Sequence, residues 1–287
     1  MKVGFLGSGL MGFPMAQRLL LNNHQVIVYN RTLSKAQPLQ KDGAEVATSA
    51  HEVIEKSQCI ILMLADAKAI QEILFSQNIL SFAGKTVIQM GTIAPSESIQ
   101  FKQLIEQKQG QYFECPVLGS IKEAKEGKLH LMVGATQDQY EQWKVFLKCF
   151  GQDPKHIGEV GQAAALKLAM NQLIASLVTA FSLSLSLVQH FGIRVDDFMD
   201  ILRKSALYAP MFDNKLPRML KKDYSNPNFS TKHMLKDINL FLQEAENKGI
   251  ATVSLEDIQQ IFSRTIQKGF AETDYSAVFD IIYSDKN

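Results

Sequence analysis

Residues Lys2–Leu20 read KVGFLGSGLMGFPMAQRLL. Lys2–Leu6 is a short apolar run of strand type. Gly7-x-Gly9-x-x-Gly12 follows it at once and opens a helical pattern. Gly7 permits a tight turn, Gly9 lets a backbone approach a pyrophosphate, and Gly12 lets helix and strand pack closely. The start of the helix offers unpaired N–H groups and the positive end of its dipole to phosphates. A lone glycine pattern is a weak signal. Here a strand precedes it, a helix follows it, and a second strand-like run, Gln25–Tyr29, comes at the spacing of a βαβ unit. The alternative is an ordinary glycine-rich turn.

The pattern continues outward from this turn. Strand-like runs fall at Lys2–Leu6, Gln25–Tyr29, Cys59–Leu64, Thr86–Gln89 and Leu129–Val133. Between them lie helix-like runs at Leu10–Leu21, Ser34–Lys41, Ala67–Phe75 and Pro95–Gln107. Such alternation predicts a parallel sheet covered by helices on both faces. Beyond Gly161 the strand signal stops. Helices are expected at Gln162–His190, Val195–Lys204, His233–Asn247 and Ser254–Gln267, with Asn226-Pro227 as a break. Ser254-x-x-Asp257 has the form of a capping box, and Gly249 and Gly269 stand where helices end. The fold class is therefore α/β. An N-terminal doubly wound Rossmann domain, residues 1–160, precedes an all-α domain, residues 161–287, and one long central helix joins them.

The end of the second strand bears on cofactor choice. Sites for NAD place Asp or Glu there to hold the ribose 2′-hydroxyl. This chain has Asn30-Arg31-Thr32, with Lys35 a turn later. No carboxylate repels a 2′-phosphate, and the Arg31 guanidinium matches phosphate geometry. NADP(H) is expected over NAD(H); the alternative is a surface arginine in a loop.

Lys167 and Asn171 stand at i and i+4 at the entrance of a long apolar helix, so they share a face. A lysine facing a cleft there suits a general acid, with the asparagine orienting it. A lysine snorkelling from a helix end fits the local sequence equally well.

Several separate motifs resemble the β-hydroxyacid dehydrogenase family, and most of all its NADPH-dependent glyoxylate and succinic semialdehyde reductases. They are Met11-Gly12-x-Pro14-Met15-Ala16, Tyr29–Thr32 (YNRT), GTIAPSES with Thr92, Pro116-Val117-x-Gly119-Ser120, Lys167 with Asn171, Phe229–Asp237 (FSTKHMLKD), and FAETDYSAV near the end. The likeness runs the whole chain. It implies hydride transfer between NADP(H) and a small carboxylate-bearing carbonyl compound, with Lys167 and Asn171 catalytic. It also implies cofactor contacts from Gly7, Gly9, Leu10, Met11, Gly12, Asn30, Arg31, Thr32, Met63, Leu64, Thr92 and Lys236. Leu118, Gly119, Ser120, Asn171, Phe229 and Asp237 would face the substrate. A homodimer or homotetramer is implied too. One departure stands out. The family loop usually reads Asp-Ala-Pro-Val-Ser-Gly, whereas this chain has Glu114-Cys115-Pro116-Val117-Leu118-Gly119. Leu118 removes a hydroxyl that in the family helps hold the substrate carboxylate, and the Ser120 hydroxyl is the expected replacement. Other activities remain open at this point: reduction of an atypical ketone or imine, or nucleotide binding without turnover.

Composition excludes several classes. Thirty Lys and Arg against 29 Asp and Glu give a net charge of +1, which supplies no basic coat for nucleic acid or membrane. The three cysteines are widely spaced and fit a reducing compartment, so a cytoplasmic protein is expected. Cys115 reads as a packed thiol rather than a reactive one. The six histidines lack metal-ligand spacing, so no metal is expected. Leu173–Phe191 is long and apolar enough to tempt a membrane reading, but its Ser and Thr content favours a buried core helix and no membrane.

Overall fold

A computed structural model describes residues 1–75 and 81–283. The chain divides into two compact units, Met1–Leu168 and Ala169–Asn287.

The first unit is built on a nine-stranded sheet. Its strands are β1 (Lys2–Leu6), β2 (Gln25–Tyr29), β3 (Glu45–Val46), β4 (Cys59–Leu62), β5 (Thr86–Gln89), β6 (Gln111–Glu114), β7 (Val117–Leu118), β8 (His130–Gly134) and β9 (Lys155–Gly158). The order is β3-β2-β1-β4-β5-β6-β8-β7, with β9 paired to β8. Strands β1 to β6 run parallel, with Leu6 opposite Tyr29 on one side and Leu62 on the other. The order reverses between β1 and β4, and ligands of open α/β sheets bind outside the carboxyl ends at that point.

The expected double cover is present. Alternate residues of one strand enter different cores. Val3, Phe5, Val26, Val28 and Ile61 join Met15, Ala16 and Leu19 of α1 (Gly12–Leu21) in one core. Leu6, Ile27, Ile60, Leu62 and Val87 join the other, with α2 (Ala50–Lys56), α3 (Ala67–Phe75) and α4 (Pro95–Gln107). Burial on both faces is why these strands read as unbroken apolar runs. The unit is completed by α5 (Ile121–Glu126), α6 (Gln137–Leu147) and the start of α7 (Gln162–His190).

Three local expectations are corrected. The Ser34–Lys41 run is two 3₁₀ turns, Leu33–Lys35 and Gln37–Asp42, because Pro38 interrupts the amide series. The strand expected through Leu64 ends at Leu62, and Met63 N–H donates to Leu6 O at 2.9 Å. Strands β3 and β7 are only two residues long, and β6 and β9 include polar residues, so none of them announces itself.

The second unit is helical: the remainder of α7, α8 (Val195–Lys204), α9 (Pro210–Lys221), α10 (Thr231–Asn247), α11 (Val253–Thr265) and α12 (Phe279–Ile282). Ala175, Val178, Phe181 and Leu185 of α7 pack with Met199, Phe212, Met219, Met234, Ile238, Leu255, Phe262 and Phe279. Helix α11 begins after Thr252, not at Ser254, and the Thr252 hydroxyl bonds Glu256 at 2.7 Å. The break at Asn226-Pro227 falls between α9 and α10, with Asn226 at φ 49°. Helix α7 is not buried all round as its sequence suggested. Leu173, Leu177, Leu183, Leu187 and Phe191 form an exposed stripe opposite the packed face.

A buried ion pair locks the end of this unit. Lys215 Nζ donates to both oxygens of Asp274, at 2.8 and 2.7 Å, and lies 4.1 Å over the Tyr275 ring. Ser276 donates to Asp274 Oδ1 through its N–H and its hydroxyl. The Tyr275 N–H in turn bonds Phe229 O at 3.2 Å, which ties the segment before α10 in place.

Candidate active site

In the first unit the candidate residues gather at the carboxyl ends of β1, β2, β4 and β5. Gly7 has φ +103° and its N–H bonds Tyr29 O at 3.0 Å. A Cβ on Gly7 would stand 2.3 Å from Met63 O, and one on Gly12 would stand 1.9 Å from Gly7 O. Any side chain at either position would drive the turn apart. Gly9 differs, for a Cβ there meets nothing within 4 Å. The turn is closed beneath and open above, as a pyrophosphate seat requires.

Two further features fit an anion there. No side chain caps α1, and its first turn carries no acidic residue. Ser8 Oγ is buried without a hydrogen-bond partner among the described residues. Sequence reading passed over Ser8, whose only signal was a polar residue inside the turn.

Asn30 Nδ2 donates to Thr32 O at 2.9 Å, which shapes the loop after β2. Arg31, Thr32 and Lys35 are exposed there, and Leu10 is exposed beside the glycine turn. Met63, Leu64 and Thr92 are half-buried after β4 and β5.

Leu118 ends β7 and is half-buried, and Gly119 follows it, exposed at φ +142°. The Ser120 hydroxyl is less free than expected. It and the Ser120 N–H both donate to Glu123 Oε2, at 2.5 and 2.7 Å, and cap α5. These two donors hold the Glu123 carboxyl below its usual range. Cys115 is buried in the core and burial pushes its thiol pKa up, which disfavours the thiolate.

Lys167 lies near the start of α7 and is only 9% exposed. Asn171 follows one turn later on the same helix. In the second unit Asn171 Nδ2 donates to Asp237 Oδ2 at 2.6 Å, and both side chains are buried. Asp237 Oδ1 is 2.9 Å from Lys236 Nζ, an ion pair without hydrogen-bond alignment. Asp237 thus orients the amide of Asn171. Phe229 is half-buried and stacks on His233, whose Nδ1 is 2.8 Å from Ser230 Oγ. Burial and the neighbouring Lys236 and Lys232 lower the His233 pKa. The Tyr208 hydroxyl donates to Asp213 at 2.6 Å.

Glu114 is a further residue of the site whose role nothing local in the sequence marks. Its buried carboxylate binds the first turn of α7, through Gly161 and Ala164.

The sheet order, the glycine turn and the open seat above Gly9 define a dinucleotide-binding protein of the Rossmann type. Two sequence profiles match it: the NAD-binding domain of 6-phosphogluconate dehydrogenase over residues 2–161, and the NAD-binding domain of NADP-dependent 3-hydroxyisobutyrate dehydrogenase over residues 161–282. The chain belongs to the β-hydroxyacid dehydrogenase family of NAD(P)-dependent oxidoreductases acting on CH–OH groups. It is 34% identical to glyoxylate/succinic semialdehyde reductase 1 of Arabidopsis thaliana, over 98% of each chain. It is 30% identical to the cytokine-like nuclear factor N-PAC of Drosophila melanogaster over 96% of its own length and 46% of that protein. The structure of 3-hydroxyisobutyrate dehydrogenase from Salmonella typhimurium has the same fold, with TM-score 0.88 at 20% identity, covering 98% of this chain and 99% of that one.

Proposed function

We propose that the protein reduces a small aldehyde acid of the glyoxylate or succinic semialdehyde type to the hydroxy acid, with NADPH. The observation that carries this reading is the buried Lys167 one turn before Asn171, whose amide Asp237 holds at 2.6 Å. A lysine kept from water on a rigid helix is placed to protonate an alkoxide. Asn171 supplies a fixed donor for the developing charge on that oxygen. The nicotinamide, when bound, supplies the hydride. Gly7, Gly9, Leu10, Met11 and Gly12 would hold the pyrophosphate, with Met63, Leu64, Thr92 and Lys236 around the rest of the cofactor. Arg31, Asn30 and Thr32 would hold a 2′-phosphate, which favours NADPH over NADH.

Gly119, Ser120, Phe229 and Asp237 would meet the substrate, with Leu118 beside them. Because Glu123 already takes both donors of Ser120, the carboxylate of an acid substrate relies mainly on other groups. That favours a modest rate on aldehyde acids. The exposed stripe Leu173–Leu177–Leu183–Leu187–Phe191 suits contact with a second copy in a homodimer or homotetramer. A cytoplasmic location is part of the same proposal, supported by the buried free thiols and the need for NADPH.

The test is turnover of purified protein with NADPH against glyoxylate, succinic semialdehyde, methylglyoxal and a cyclic imine, followed by loss of NADPH absorbance. Turnover of the aldehydes supports the reading. Turnover of the imine alone would replace it with imine reduction. Tight NADPH binding without turnover would replace it with a nucleotide-binding module.

A further inference from the structure

Glu114 ends β6 and is 1% exposed. Its Oε1 accepts the N–H of Gly161 at 2.8 Å and of Ala164 at 2.9 Å. Its Oε2 accepts the Ser98 hydroxyl, whose oxygen is 2.9 Å from Tyr112 Oη. The surroundings are cut to fit this carboxylate. A Cβ at Gly134 would stand 2.5 Å from Oε1, and Gly161 holds φ +103° to aim its N–H inward. Burial is the larger effect and leaves the carboxyl pKa raised, although the Ser98, Ala164 and Gly161 donors pull against it. The three donors converge on two oxygens, an arrangement that suits the ionised form.

Lys167 lies in the next turn of α7. The N-terminal end of a helix carries the positive pole of its dipole, an unfavourable place for an ammonium group. A fixed carboxylate on the first-turn amides opposes that pole. Among the described residues, Glu114 also acts on the Tyr112 phenol, which Glu97 influences too, and on the Cys115 thiol. Burial and Glu114 itself raise both the phenol and the thiol, so neither takes up a charge near neutrality.

We propose that Glu114 is a positioning residue for Lys167: its carboxylate fastens the first turn of α7 to the sheet, and its charge supports the protonated lysine. This rests on Lys167 being the proton donor of the reduction.

The test is Glu114→Gln in the full chain, beside Lys167→Ala. Glutamine keeps the shape and one acceptor oxygen for the two N–H groups, but loses the charge. The expected result is a kcat lowered about tenfold on the high-pH limb, where a lysine pKa lower by about one unit leaves fewer proton donors. NADPH affinity should be unchanged. The high-pH limb of the kcat profile should move to lower pH, because the lysine gives up its proton more readily. Ser98→Ala, which removes a donor but leaves the charge, should not move that limb. Should the glutamine variant fail to fold by circular dichroism, Glu114→Asp serves instead. It keeps the charge on a shorter arm, so kcat should fall with the limb in place, and a moved limb would overturn the proposal. An unchanged kcat and limb in Glu114→Gln, with turnover lost in Lys167→Ala, overturns it while leaving Lys167 in its role. Normal turnover in Lys167→Ala removes the lysine and the proposal together.

Discussion

Replacing Lys215 with methionine tests how the helical unit is held. Asp274 is fully buried, and Lys215 is its cationic partner through two bonds of 2.8 and 2.7 Å. Removing one partner of a buried pair costs about 3–5 kcal/mol, because the other charge stays in a medium that cannot solvate it. Here Oδ1 keeps the Ser276 N–H at 3.1 Å and the Ser276 hydroxyl at 2.7 Å, while Oδ2 loses its Lys215 bond. Half the carboxylate remains solvated by the protein, so the lower end, about 3 kcal/mol, is expected for Lys215→Met. The assay is urea unfolding followed by circular dichroism, since this unit is helical. Adding Asp274→Asn to Lys215→Met removes the stranded charge and should recover at least about 1 kcal/mol. A loss below about 1 kcal/mol in Lys215→Met, or a double variant weaker than the single, would refute the reasoning.

The remaining predictions concern chemistry. Lys167→Ala should lower kcat roughly 10²–10⁴-fold with NADPH affinity nearly unchanged, by steady-state kinetics and a fluorescence titration. Arg31→Glu should invert the cofactor preference by removing a charge-assisted contact of about 1.5–3 kcal/mol and adding repulsion; equal kcat/KM for the two cofactors in the unmodified protein contradicts it. Leu118→Ser should raise kcat/KM for glyoxylate or succinic semialdehyde about tenfold, since Glu123 prevents Ser120 from supplying that hydroxyl. A fall for a bulkier, less polar aldehyde in the same variant would instead mark Leu118 as the wall of an apolar pocket. No change on either substrate class would remove it from the substrate's path.

What the sequence disclosed and what it hid divide along physical lines. The glycine turn was legible because backbone geometry demands particular residues at fixed spacing. Strands buried on both faces were legible because each position is apolar. Strand β9 was not, since Lys155 and His156 interrupt its apolar character. Helix α9 was hidden by Pro210 at its start and Pro217 inside it. Lys167 was visible as a cation entering an apolar helix, whereas its burial was not. The partnerships were illegible. Glu114 meets Ala164 across 50 positions, Asn171 meets Asp237 across 66, and Lys215 meets Asp274 across 59. Nothing local marks one charged residue as another's partner. The Ser120 hydroxyl shows the converse error: its type was right for a ligand, but a glutamate three residues on already held it.

Deuterium transfer tests the central claim most directly. The protein is given NADPH deuterated on the hydride-donating face of C4, with succinic semialdehyde, and the product is analysed by mass spectrometry and NMR. The account predicts one deuterium on the carbon that becomes CH–OH, formed rapidly by the unmodified protein and far more slowly by Lys167→Ala. Product without deuterium, or equal rates in the two proteins, would contradict it.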